Sequence, residues 1–464
     1  MHPDSIVTGR SRANDSRSMV RSLRALLLFV GVLLSYGWHW LVIRRVSAEV
    51  REQRWHRVHT RNAKRLRAGF ARLRGLYIKL GQVLSVMAPF LPRQYADELE
   101  TLQDSVPPHP FAEIQKQLRG ELGAALENQF RRISPQPLAA ASLAQVHRAE
   151  LANGEQVVLK VLYPGIERTI RSDIRVLNWL VPVLYRVFGF KNMDTVVAQL
   201  DQMLRHETNY QHERCNIERV RTMLGNHPRL VVPRVYEGLC TRRVLTLSYE
   251  PGVKLTNVPA LNELGIDRRS VADTLVEVYL QMLFEHQMFH ADPHPGNLLV
   301  KEGDYLVILD YGAVEPVSDQ LVAGMKQVIL GAVSRNSEMV LGGIEAMGFI
   351  AENGDRELLY QVGREYLSTL ADLRIQDFSK LSASQLEELS GVRLLRGRLR
   401  SVAGSLRYPP GFFYVERTLA LLFGVLAQLV PEQGLLGVAA PHASRLLLRS
   451  YARPQPDARV DASG

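Results

Sequence analysis

Two short runs, His290-Ala291-Asp292-Pro293-His294-Pro295-Gly296-Asn297 and Leu309-Asp310-Tyr311-Gly312, constrain the fold more than any other part of the chain. Between them lie Leu298-Leu299-Val300, the turn Glu302-Gly303-Asp304 and Tyr305-Leu306-Val307-Ile308-Leu309, a pattern that predicts a β-hairpin. A hairpin returns the chain to its starting end. Asn297 and Asp310 are therefore expected side by side, where two side-chain oxygens suit magnesium. Asp292 supplies a carboxylate that can accept or orient a nucleophile's proton, and the three residues together make a kit for moving a phosphoryl group. His290 and His294 are expected to hold the loop by hydrogen bonds, since hard magnesium prefers oxygen.

A second hairpin is predicted upstream, from Gln145 to Leu151 and from Gln156 to Leu162 about the turn Asn153-Gly154. Its second strand reads Val157-Val158-Leu159-Lys160-Val161. An ammonium in an otherwise apolar strand is costly unless it meets an anion, and a phosphate is the obvious one. In the kinase template such a lysine pairs with a helix glutamate, for which Glu207 and Glu213 are the two candidates. Before the hairpin runs Leu138, Ala139, Ala140, Ala141, Ser142, Leu143, Ala144, Gln145 and Val146, where a kinase would carry a glycine-rich phosphate cover. No glycine occurs there, so the cover is expected to be stiffer.

The periodicity predicts helices over 44–88, 111–132, 166–188 and 193–224, a turn-rich joint over 89–110, and strands over 231–236 and 243–249. Beyond Pro251-Gly252 the pattern is mostly helical to Leu448, the opening ribbon apart. A small β-rich part followed by a large helical part is the kinase division of labour. The fold class is thus α+β, a two-lobed protein-kinase-like fold with a helical N-terminal extension. Expected segments are a basic tail 1–24, a transmembrane helix 25–43, a basic helical extension 44–134, a small ATP-binding lobe 135–250, a large helical catalytic lobe 251–448 and a flexible tail 449–464. Ser248-Tyr249-Glu250-Pro251-Gly252 would link the lobes and offer backbone groups to an adenine ring.

The transmembrane expectation rests on Ala25 to Ile43, nineteen nearly unbroken apolar residues with Tyr36, Trp38 and Trp40 suited to an interface. Arg44 and Arg45 follow directly, which fits a cleaved signal peptide less well, although Val46-Ser47-Ala48 could serve as a cleavage site. Of the net charge of +10, five arginines fall in residues 1–24, and eight arginines with Lys64 fall in residues 44–67. The denser basic flank and the need for ATP both place the catalytic body in the cytoplasm as a single-pass membrane protein. A polybasic run beside an apolar helix meets anionic lipid more often than nucleic acid, so no nucleic acid is expected. The runs Val176 to Phe190 and Leu419 to Val430 suit core helices. Cys215 and Cys240 fit structural thiols in a reducing compartment.

Taken together, Lys79-Leu80-Gly81-Gln82 after Tyr77-Ile78, Leu102-Gln103-Asp104, the alanine-rich stretch, Val158-Leu159-Lys160, His290 to Asn297 and Leu309 to Gly312 resemble the UbiB/AarF family of atypical protein-kinase-like proteins. The resemblance covers about Gly75 to Ala440. It implies that Leu138 to Val146 with Lys160 bind ATP, that Glu213 pairs with Lys160, that Asp292 is the proton acceptor and that Asn297 and Asp310 hold Mg2+. It also implies a regulatory lid, in which Lys79 and Gln82 project from one helix face over the peptide entrance and meet a Glu-x-Asp motif. Here that motif reads Glu207-Thr208-Asn209, one anion short. The family is tied to ubiquinone and related isoprenoid lipid metabolism, so membrane lipid, isoprenoid quinone precursors and quinone-biosynthesis enzymes are the implied partners. The short path from Asp310 through Ala313-Val314-Glu315-Pro316 leaves no long activation segment to hold a peptide. Two other readings stand beside an atypical kinase or ATPase: a small-molecule phosphotransferase of the choline or aminoglycoside kinase type, and a nucleotide-sensing lipid-binding scaffold.

Overall fold

The computed structural model describes residues 4–43, 47–86, 93–103, 107–188, 193–371 and 409–431, with isolated residues between 405 and 445. The tail 449–464 lies outside the described residues. The chain divides into two units, Met1–Arg214 with Arg234–Tyr249, and Cys215–Pro233 with Glu250–Gly464.

In the first unit, helix α1 (Asp4–Ile43) contains Met19–Val42, which is long and apolar enough to cross a membrane. It packs within its unit on α2 (Ala48–Leu73) and α7 (Ile166–Phe188). Ala25, Val32 and Tyr36 are buried, whereas Leu27, Leu34, Trp38 and Leu41 are exposed. Arg21 holds Asp173 of α7 at 2.6 Å and also donates to the carbonyl of Leu73 at the end of α2. Burial pushes the Asp173 carboxyl up, and the guanidinium opposes that shift. Ser22 bonds Ser172 at 2.9 Å, and Arg65 donates to the Gly31 carbonyl at 3.0 Å.

Helix α3 (Leu76–Val86) follows a turn in which both Arg74 and Gly75 have φ 56°. Gly81 inside it cannot be larger: a Cβ there would lie 2.6 Å from Leu102 and 3.3 Å from Phe70. Helix α4 (Arg93–Glu100) comes next, and the predicted 111–132 helix is instead α5 (Phe111–Leu122) and α6 (Ala124–Gln129), parted at Gly123 with φ 55°. Strand β1 (Phe130–Ala140) then begins before residue 135, where the small lobe was expected to open. Pro135 and Pro137 are tolerated because β1 is an edge strand, and its register slips there. It pairs with β2 (Ala144–Leu151), β2 with β3 (Gln156–Leu162), and β3 with β4 (Val244–Ser248), all antiparallel. The predicted 193–224 helix breaks into α8 (Met193–Glu207) and α9 (Tyr210–Leu224). Thr208 turns its hydroxyl back to the Leu204 carbonyl at 2.7 Å, and the Asn209 side chain accepts the Gln211 N–H at 3.2 Å, so each supplies a local partner that ends one helix and opens the next.

The second unit contains a four-stranded sheet in the order Leu230–Val231, Tyr305–Ile308, Leu298–Lys301, Val253–Lys254, whose first pair is parallel. Of the predicted 231–236 strand only Val231, with Leu230 before it, pairs here; Pro233 cannot donate to a ladder, and beyond it Val235 keeps a single bridge to Leu247 in the first unit. After α10 (Val258–Glu263), helix α11 (Arg268–Phe284) is capped by Asp267, which accepts the Arg269 and Ser270 N–H groups, and it buries Val271, Leu275, Val278 and Met282. The late apolar run lies in the Phe412–Leu429 helix, which buries Val415, Leu422, Val425, Leu426 and Leu429 and exposes Leu419.

Candidate phosphoryl-transfer site

In the first unit, Val157, Leu159 and Val161 of β3 point into the core, so the intervening Lys160 projects from the other face of the sheet. Its ammonium lies 2.5 Å from Glu213 in the first turn of α9, and the two side chains are only 14% and 6% exposed. Of the two candidate glutamates, Glu213 is thus the partner. Glu207, at the end of α8, meets Lys79 of α3 at 2.7 Å. Asn209, the departure from the expected Glu-x-Asp motif, serves the opening of α9. Gln82 sits in α3, but its side chain lies outside the described residues.

The alanine-rich stretch is a strand, turn and strand. Leu138 to Ala140 end β1, Ala144 to Val146 begin β2, and Ala141-Ser142-Leu143 turn between them. The turn is fastened: Ala141 N–H donates to the Ala144 carbonyl at 2.8 Å, Tyr163 hydroxyl to the Ala141 carbonyl at 3.1 Å, and Tyr163 N–H to the Leu143 carbonyl at 2.9 Å. Val146 lies opposite Lys160 in register. Gln145, by contrast, is fully buried; its amide accepts the His109 N–H and meets His147 at 3.1 Å, which in turn bonds the Ser134 carbonyl at 2.9 Å. Gln145 therefore ties the proline-rich joint to the sheet. Burial lowers the His147 pKa below its usual value.

In the second unit, Leu298 pairs with Ile308, and Leu309 N–H donates to the Asn297 carbonyl at 2.9 Å. That bond brings Asn297 and Asp310 to one end of the hairpin. Gly303 and Asp304 adopt left-handed conformations in its turn, and Asp304 accepts the Asp267 N–H at 2.9 Å. His290, almost fully buried, links the functional loop to the segment after the hairpin. Its Nε2 donates to the Asp310 carbonyl, so its Nδ1 is the acceptor for the Asp292 N–H at 3.3 Å and the Tyr279 hydroxyl at 3.1 Å. Burial pushes the Tyr279 phenol well up, which keeps it a donor. His294 accepts the Gly296 N–H at 3.1 Å. Both histidines thus hydrogen-bond within the loop.

Asp310 accepts the Gly312 N–H on one carboxylate oxygen at 2.8 Å, and Asn216 donates to the Tyr311 carbonyl at 2.9 Å. The amide oxygen of Asn297 and the carboxylate of Asp310 are hard donors. They fit magnesium, which completes its shell from phosphate oxygens and water. Among the described residues no group of three or more His, Cys, Asp or Glu side chains is gathered for a metal. A lysine held by a buried glutamate and a pair of oxygen donors on a hairpin are the parts a phosphoryl-transfer enzyme needs.

Residues 101–342, just over half of the chain, match the model of the ABC1 atypical kinase-like domain. The chain belongs to the ABC1 atypical kinase-like family. Among its relatives, the Arabidopsis thaliana protein named ACTIVITY OF BC1 COMPLEX KINASE 8, chloroplastic, is 31% identical, over 83% of this chain and 54% of that protein. A probable protein kinase UbiB of Marinobacter nauticus is 35% identical over 54% of this chain and 47% of its own length. The chain spans about half the length of the curated relatives it matches. The fold is similar to that of the Mycobacterium tuberculosis protein Rv3197 solved with erythromycin, with a TM-score of 0.54, 22% identity, and coverage of 88% of this chain and 98% of that one. The UbiB/AarF resemblance and the mixed helix-and-sheet, kinase-like fold both hold.

One residue beside the ABC1 motifs escaped the sequence reading. Arg417, in the Phe412–Leu429 helix, lies 3.0 Å from Asp292 Oδ1, with the two side chains 32% and 30% exposed. Its signal was a lone arginine in an eighteen-residue helix whose only other charge is Glu416.

Proposed function

We propose that this ABC1-family chain is a membrane-associated, magnesium-dependent ATPase or atypical kinase that supports isoprenoid quinone synthesis. The observation that carries this reading is the Leu309-to-Asn297 hydrogen bond, which sets the oxygen donors Asn297 and Asp310 together on one hairpin end. Lys160, oriented by Glu213, would bind ATP phosphate oxygens, with the fastened Ala141-Ser142-Leu143 turn beside its strand as the phosphate cover. Asp292 would accept or orient the proton of the attacking hydroxyl or water. Magnesium held by Asn297 and Asp310 would offset the charge that develops on the phosphates. The Lys79–Glu207 pair would hold the α3 lid, and the single anion in place of two predicts a lid that is held less firmly. Attachment through the apolar part of α1, with the body on the cytoplasmic side, would put the enzyme beside apolar quinone precursors. The names of the relatives, one a bc1-complex activity kinase and one a UbiB kinase, support the kinase and quinone parts of the reading.

The test uses the full-length protein in detergent or nanodiscs. Wild type should bind and turn over ATP only with magnesium, and Lys160→Ala and Asp310→Asn should each abolish binding. Binding that survives both substitutions would sink the reading. Quinone profiling of a deletion strain complemented with wild type or Asp292→Asn then tests pathway and catalysis together. Stoichiometric phosphorylation of a soluble alcohol would instead establish a small-molecule phosphotransferase, and binding without hydrolysis a sensor.

A further inference from the structure

We propose that Arg417 is a positioning residue for the reaction, holding the Asp292 carboxylate in the orientation that receives the acceptor's proton. The proposal rests on the reading of Asp292 as the catalytic carboxylate. Arg417 Nη2 donates to Asp292 Oδ1 at 3.0 Å, a charge-assisted contact that fixes the carboxylate's rotation. With Oδ1 engaged, Oδ2 is the oxygen presented to the acceptor. As the acceptor oxygen bonds to the γ-phosphorus and the bond to the ADP oxygen breaks, the acceptor's proton passes to Oδ2.

Both ends of the contact are anchored. The Asp292 N–H is held by His290 and its carbonyl accepts the His294 N–H at 2.7 Å, so the backbone beneath the carboxylate is set. The arginine's helix is seated through Val415, Thr418, Leu422, Val425, Leu426 and Leu429, all buried and spaced as one helical face. Its far end is tied down by Arg268 of α11, which donates to the Leu429 carbonyl at 2.9 Å. A guanidinium on such a platform is a fixed strut. A blocking latch would need a mobile carrier and would cover both carboxylate oxygens, whereas the Asp292 side chain stays 30% exposed beneath Arg417. Burial raises the phenol of Tyr414, which lies near the guanidinium, above its usual value.

The experiment measures steady-state ATP turnover and equilibrium ATP binding on the full-length protein for wild type, Arg417→Ala, Arg417→Lys, Asp292→Asn and the Asp292→Asn/Arg417→Ala double variant. Arg417→Ala should lower kcat about 10- to 100-fold, the scale of a misplaced catalytic group, while the ATP dissociation constant stays within about two-fold. Arg417→Lys should recover part of the loss, and added guanidinium ion should partly rescue Arg417→Ala, which a purely structural defect would not allow. The double variant should be no slower than Asp292→Asn alone. If the alanine variant does not fold, Arg417→Met keeps the side-chain length and takes its place. Turnover by Arg417→Ala at or above the wild-type rate overturns the proposal, and so does an equal loss in the Asp292→Asn background. Full turnover by Asp292→Asn would instead remove the reading of Asp292, and this proposal with it.

Discussion

The basic residues of the first unit and the oxygen donors of the second are fixed by different means. Lys160 and Lys79 are each met by a glutamate from another element, so their geometry depends on side-chain charge. Asn297 and Asp310 are set by the backbone of one hairpin, by His290 and by the Gly312 N–H. A pair made by two side chains fails when either is removed. A pair made by a hairpin survives loss of either side chain, and what disappears is the chemistry. The two sets should therefore respond differently to substitution: unit 1 variants should lose stability along with function, and unit 2 variants function alone.

The largest expected effect tests the second half of that contrast. Asp292→Asn should lower turnover by about 10²–10⁴-fold, the usual contribution of a general base, and because its partly exposed pair with Arg417 contributes only about 0–1 kcal/mol, the melting temperature should barely move. Glu213→Ala tests the first half. It leaves Lys160 partly buried without its carboxylate and should cost roughly 3 kcal/mol of stability, read by denaturant unfolding, together with ATP binding. A Glu213→Ala protein as stable as wild type would erase the distinction between the units. Gly81→Ala should cost about 1–3 kcal/mol, because the new methyl meets Leu102 and Phe70 in a filled interface.

Acid should act through His147. Its folded-state pKa lies below its unfolded value of 6.5, so the unfolded chain binds more protons between the two values. Stability from this group is complete above pH 6.5 and is lost as pH falls toward the folded value, by at most about 1.4 kcal/mol per pH unit. His147→Gln should flatten that slope in pH-dependent melting. Smallest of all is Lys79→Ala, whose pair with Glu207 is partly exposed and contributes about 0–1 kcal/mol. Its readout is autophosphorylation, which should rise if α3 gates the site.

The hairpins were legible because turn chemistry and alternation act over a few residues, and Asn297 and Asp310 could be paired from spacing alone. The choice between Glu207 and Glu213 was not. It depends on the break at Thr208-Asn209, where two side chains that also occur inside helices turn back on the backbone. Arg417 was invisible for a different reason: 125 residues separate it from Asp292, and no local pattern reports a contact of that span. Gln145 looked like part of a phosphate cover because its neighbours are small, yet burial directs its amide to His109 and His147.

Helix α1 reads by composition as an appendage that could be removed without consequence for the body. Arg21 makes that untrue. Cutting the chain after residue 43 to obtain a more soluble protein would strand Asp173 in the interior without its cation and uncover Phe70 and Tyr77, which Phe29 now faces. The shortened protein would be less stable by several kcal/mol, on the scale of a broken buried pair, and stickier. Asp173→Asn, introduced with the cut, should recover much of that loss. For this chain, the route to a tractable soluble form runs through α7 as much as through the N-terminus.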